Sequence, residues 1–122
     1  MSKEYEFIKE CGVFFFSTIR GTKPATRPFG AIMEIDDDLY VSTGKNKEVY
    51  NQIVYKPPVQ IVALKYGTRE WCRVTGHSVI INDTDLKQQM IDRNPVLKKR
   101  FEGADDPNFA LIKILKRKVE FF

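Results

Sequence analysis

Between Ser42 and Ile53 the sequence reads STGKNKEVYNQI, and the residue types there raise the chemistry of anion binding. Lys45 and Lys47 stand where a strand pattern gives way to a helical one. Cations at a helix start are unfavourable by about 0.3–1 kcal/mol each, because the first turn carries unpaired N–H groups and a partial positive charge. A bound anion reverses that sign. Asn46 is a good N-cap residue, and Ser42 and Thr43 add hydroxyls just before it, a set that suits phosphate. The alternative is that both lysines are solvated loop residues whose charge Glu48 offsets. Gly44-Lys45 is not part of a GxxxxGK[ST] loop, so hydrolysis of ATP or GTP has no support.

Arg27, between Thr26 and Pro28 in an apolar stretch, must be paired or reach solvent. Either it lies beside Thr43 and adds a third cation to the same spot, or it forms a salt bridge to a turn aspartate or Glu34. Pro28, Phe29 and Gly30 supply a strand break, an aromatic ring and a close-approach glycine, which would suit a flat or apolar ligand body. Trp71, the one tryptophan, either covers an aromatic ring or anchors a core or an interface. His77 has no evident partner and reads as structural or surface. No nucleophile or acid–base pair is visible, so no catalytic side chain is assigned. Cys11 and Cys72 form no CxxC pair and have a single histidine for company, which argues against a metal site.

The elements that must position these residues follow from periodicity. A short amphipathic helix is expected over residues 3–10, capped by Ser2 and ended by Gly12. Strands are expected at Val13–Ile19, Ala25–Ile35 and Leu39–Ser42, the first three forming a meander, with Pro28 marking an edge, bulge or break. A helix over Lys47–Lys56 stops at Pro57-Pro58. Strands Val59–Tyr66 and Arg69–Ile81 follow, then a helix from Asp83 or Thr84 to about Asp92, a turn or two over Val96–Phe101, and strands Phe109–Leu115 and Lys118–Phe122. Helices inserted singly among antiparallel strands argue against a doubly wound sheet. A mainly β fold is predicted, a small open barrel with peripheral helices.

The 122 residues suit one domain, 1–122. A hydrophobic share of 43% allows a packed core, and the net charge of +4 fits a phosphate-bearing partner. Two free thiols and no signal peptide point to the cytoplasm, and no apolar run approaches the roughly 20 residues that cross a bilayer. A nucleic-acid module is the competing outline for a basic, aromatic-rich barrel, but the Asp36-Asp37-Asp38 turn interrupts the basic surface.

Three segments, ATRPFGAIMEIDDDLYVSTGKNKEVYNQI, EWCRVTGHSVIINDTDLKQQMIDRNPVLKKRF and DDPNFALIKI, resemble the pyridoxamine 5'-phosphate oxidase-like FMN-binding split barrels, in their small single-domain subgroup. The resemblance implies a six-stranded antiparallel split barrel and a homodimer with FMN in grooves between subunits. It implies an FMN-dependent oxidoreductase or flavin reductase acting on a small redox substrate, with NAD(P)H as a reductant, or else a flavin carrier. By position, Arg27, Thr43, Asn46 and Lys47 would hold the FMN phosphate, with Ser42 and Lys45 beside them. The Arg27–Gly30 segment, through Pro28 and Phe29, would follow the flavin ring, and Trp71 would approach from the partner subunit. The vitamin B6 enzyme's substrate-binding C-terminal segment has no counterpart, so pyridoxamine phosphate oxidation is not expected.

Overall fold

A seven-stranded antiparallel sheet carries the chain, and the computed structural model describes residues 1–122 of it. The strands are β1 (Phe14–Arg20), β2 (Lys23–Phe29), β3 (Ile32–Ile35), β4 (Asp38–Gly44), β5 (Pro58–Leu64), β6 (Trp71–Ile81) and β7 (Phe109–Phe121). The helices are α1 (Lys3–Cys11), α2 (Glu48–Tyr55) and α3 (Thr84–Arg93), with a 3-10 turn at Pro95–Lys99. Across the sheet the order is β2-β1-β5-β6-β7-β4-β3, and β2 and β3 remain unpaired on their outer sides. The sheet is therefore not closed. This is a split barrel with helices at its periphery, mainly β as the sequence predicts.

Two differences from the expected elements matter. The strand expected over Ala25–Ile35 is two strands, because the chain leaves one free edge at Phe29 and joins the other at Ile32. Arg27 thus pairs opposite Phe16 on β1, and no ladder links it to Thr43 as a meander would require. Pro24 and Pro28 both lie on the edge strand β2, where a missing N–H is tolerated. At the other end of the chain, Phe109–Leu115 and Lys118–Phe122 form one long strand; a register shift between Thr75 and His77 and a positive φ of 54° at Lys116 absorb the irregularity. Gly76 sits at that bulge. A Cβ there would fall 2.7 Å from the Leu115 carbonyl oxygen, so backbone approach excludes a side chain.

Alternation sorts the side chains onto two apolar clusters. On the inner side Phe14, Phe16, Leu39, Val41, Ile61, Val74 and Ile112 pack with Tyr5 and Ile8 of α1 and Val49 and Ile53 of α2. On the other side Met33, Tyr40 and Leu111 are covered by Met90 and Ile91 of α3 and by Leu97 and Phe101. Local signals fix the helix ends. The Ser2 hydroxyl accepts from Tyr5 N at 3.2 Å, Gly12 closes α1 with φ 79°, and Asp83 accepts from Leu86 N at 3.0 Å. No helix is long and apolar enough to cross a membrane.

Candidate functional site

Where the chain crosses between the two free edges, a groove of about 990 Å³ opens. Its walls are the end of β2 and the Gly30-Ala31 crossing, the end of β4, the start of α2, and the 3-10 turn with Asn108. Eight of the ten residues singled out from the sequence line it: Arg27, Pro28, Phe29, Gly30, Ser42, Thr43, Asn46 and Lys47. Lys45 and Trp71 do not. Lys45 contributes its backbone, donating to Asn108 O at 2.7 Å, and Trp71 stacks on Phe122 at 4.1 Å on another part of the surface.

Arg27 reaches the groove from β2 and is held on neutral oxygens alone. Its Nη1 donates to Phe16 O at 3.1 Å and to Thr18 Oγ1 at 2.8 Å, and its Nη2 donates to Gln52 Oε1 at 2.9 Å. Thr18 in turn donates to Gln52 Oε1. The expected carboxylate partners go elsewhere: Glu34 lies 3.8 Å from Arg117, and Asp38 lies 3.0 Å from Lys113. Three of the five guanidinium N–H groups are thus engaged. The two acceptors Thr18 and Gln52, bonded to each other, occupy the edge between Nη1 and Nη2. What is left is the Nε–H and one Nη2–H on the adjacent edge, a fork that matches two oxygens of a phosphate or carboxylate. Burial pushes the Arg27 pKa down, Glu48 opposes this and Arg20 adds to it. An arginine so perturbed remains charged at neutral pH.

The start of α2 faces the same groove. Its N-cap is Lys47, not Asn46, and no side chain caps the first turn. Asn46 is displaced by one position because the loop is pinned from behind: Asn46 N donates to Asn108 Oδ1 at 3.0 Å and Lys47 N to Gly44 O at 3.0 Å. The first-turn amides therefore have no side-chain acceptor and present the helix's positive end. Gly44 permits the close packing; a Cβ there would fall 2.6 Å from Asn46 Oδ1 and 3.0 Å from Asn108 Nδ2. Asn108 is itself held by Asp106, whose carboxylate accepts from Asn108 N at 2.8 Å and Glu102 N at 2.9 Å. Those two backbone donors, Glu102 first, lower the Asp106 pKa.

One buried polar side-chain atom in the whole chain lacks a partner, and it belongs to this groove: Ser42 Oγ. Unmatched buried hydroxyls are unfavourable by about 1–3 kcal/mol, and they are rare without a ligand or water to satisfy them. Charge points the same way. Arg27, Lys47 and Arg100 line the groove with no carboxylate within 4.0 Å, while Glu48 is its only acid. Gly30 is exposed, and a Cβ there would meet nothing within 4 Å, so packing within the chain does not require glycine. The Phe29 ring is committed to the core, stacked on Phe16 at 4.8 Å, and fixes the path of the crossing segment.

Sequence reasoning missed Gln52, Thr18, Asn108 and Arg100. Gln52 was within reach, since it shares a helix face with Val49 and Ile53. Asn108 and Arg100 come from distant segments, and no local pattern marks them.

The chain is an open, mainly β split barrel with a basic groove at its split. The family model for pyridoxamine 5'-phosphate oxidase matches residues 2–122, and the chain belongs to that family. Among solved structures it is similar to a NimC/NimA family protein from Clostridium acetobutylicum, with 31% identity over 98% of this chain and 85% of that one and a TM-score of 0.93. It is similar also to General Stress Protein 26 from Bacillus anthracis, with 25% identity, 97% and 89% of the two chains covered, and a TM-score of 0.82. HutZ, the heme storage protein from Vibrio cholerae, shares the fold, with 11% identity, 97% and 91% coverage and a TM-score of 0.76. No curated protein matches the chain.

Proposed function

We propose that the groove binds FMN, between the subunits of a homodimer, and that the protein is an FMN-dependent oxidoreductase or flavin reductase. The observation that carries this reading is the convergence of the unpartnered Ser42 hydroxyl with the free edge of Arg27 and the uncapped start of α2 in one groove. Those donors fit a phosphate dianion and its polyol. Arg27 and Lys47 neutralise it, the first-turn amides of α2 direct it, and Ser42 and Thr43 meet the neighbouring hydroxyls. The backbone from Pro28 to Gly30 runs beside the flat end of the ligand, and exposed Gly30 leaves room for close approach.

When bound, FMN supplies the hydride and electron chemistry, and the protein supplies orientation, charge and exclusion of water. No histidine, cysteine or tyrosine lines the groove, and Glu48, exposed at the start of α2, is its one carboxylate. Methionine is missing from the lining too, so the axial ligands usual for haem are absent from this chain's share of the groove. A small-molecule redox substrate, with NAD(P)H as reductant, completes the reaction. A flavin carrier fits the same groove, and steady NAD(P)H consumption with an added acceptor separates the two: turnover marks the enzyme, a single slow reduction the carrier.

The binding test is direct. Protein purified and mixed with FMN, then freed of unbound ligand, retains a yellow flavin spectrum at one FMN per chain. Colourless protein after the same treatment contradicts the proposal.

A further inference from the structure

We propose that Gln52 and Thr18 form a neutral clamp that makes the groove select phosphorylated flavin over riboflavin, an inference that rests on the FMN reading above. The clamp lies inside the protein, behind the groove. Gln52 is 9% exposed and Thr18 3%, and neither needs to touch the ligand. Gln52 Oε1 accepts from Arg27 Nη2 at 2.9 Å and from the Thr18 hydroxyl, and Thr18 Oγ1 accepts from Arg27 Nη1 at 2.8 Å. Because Thr18 accepts from arginine, its one proton is directed to Gln52, and the three groups lock into a single arrangement.

Two consequences follow from the chemistry of the acceptors. First, the guanidinium is immobilised with its Nε edge free, so no rotamer entropy remains to be lost when a phosphate docks. Second, all of its acceptors are uncharged. A carboxylate at the Gln52 position would hold Arg27 equally well but would cancel its charge, leaving a dipole where a dianion needs a cation. Glutamine is thus the residue that fixes the arginine and leaves its charge unneutralised. Riboflavin, which has no phosphate, gains nothing from that charge, so the clamp acts on the preference between the two flavins and not on flavin binding as such.

Q52E is nearly isosteric and tests this cleanly. The measurement is the ratio of dissociation constants for riboflavin and FMN, alongside the thermal midpoint. Wild type is expected to favour FMN. Q52E is expected to weaken FMN binding about tenfold to a hundredfold, to leave riboflavin binding within about twofold, and to keep the thermal midpoint. T18S, which keeps the hydroxyl, is expected to retain the wild-type ratio, and T18V to lose part of it. An unchanged ratio in Q52E, or equal falls for both flavins, overturns the clamp while leaving FMN binding intact. Wild-type protein that prefers neither flavin overturns it too, and wild type that binds no flavin overturns the proposed function and the clamp together.

Discussion

Arg27 shows how a charge can be fixed in place without being spent. Its acceptors are a backbone carbonyl, a hydroxyl and an amide, so the cation is positioned while its field remains directed at the groove. R27Q removes that charge and the free fork, and FMN binding is expected to weaken by about 1.5–3 kcal/mol, roughly 10- to 150-fold, in a fluorescence titration. K47Q should weaken it less, since Lys47 is exposed and screened by solvent. The cysteines are a contrasting case. Burial first, and Cys11 second, push the Cys72 thiol up to about 11, so it carries almost no thiolate near neutrality. Native protein at pH 8 should therefore leave Cys72 unmodified by iodoacetamide, while unfolded protein should label readily; mass spectrometry of the digested products checks this.

At the scale of elements, the groove is built at the ends of strands and of a helix and on the loops beside them. The 44–47 loop is tied to Asn108, and Asn108 to Asp106, so a carboxylate outside the groove sets the position of the α2 start. Because the folded Asp106 pKa lies below its unfolded value, its stabilisation is present above about pH 4 and is lost as pH falls through the folded value. D106A should accordingly lower the thermal midpoint at pH 7, and the gap from wild type should close as pH drops below about 4. G30A tests the crossing segment: its thermal midpoint should hold, because nothing in the chain opposes a methyl group there, whereas FMN binding should weaken. The helices were legible in the sequence because their end signals are local, Ser2 and Gly12 for α1 and Asp83 for α3. The β2–β3 crossing was not. An unbroken strand over Ala25–Ile35 would put Phe29 and Ala31 on one face, yet Phe29 packs against the inner cluster and Ala31 belongs to the outer one. Only the pairing of each half with a different strand reveals the phase change. The groove residues near the chain's own signals were readable for the same reason, and Asn108, 62 positions from its partner Asn46, was not.

For the whole molecule, the barrel is open on one side and several large aromatics are exposed. Phe15, Phe121, Phe122, Tyr55 and Tyr66 are all more than two-fifths exposed, and Trp71 and Phe122 stack with Arg73 over both rings at 5.6 and 5.1 Å. Such a surface suits the homodimer we propose, in which a second subunit brings its own Trp71 toward the flavin and closes a groove that one chain leaves open. Sedimentation at micromolar concentration should give a dimer, and W71A should loosen it or lower flavin retention. The position of the phosphate is the deciding point. A crystal structure of the protein grown with FMN should show the phosphate within hydrogen-bonding distance of Arg27 Nε and the first-turn amides of α2, with the flavin ring beside Gly30. Flavin density elsewhere, or a groove that stays empty at saturating FMN, would contradict it.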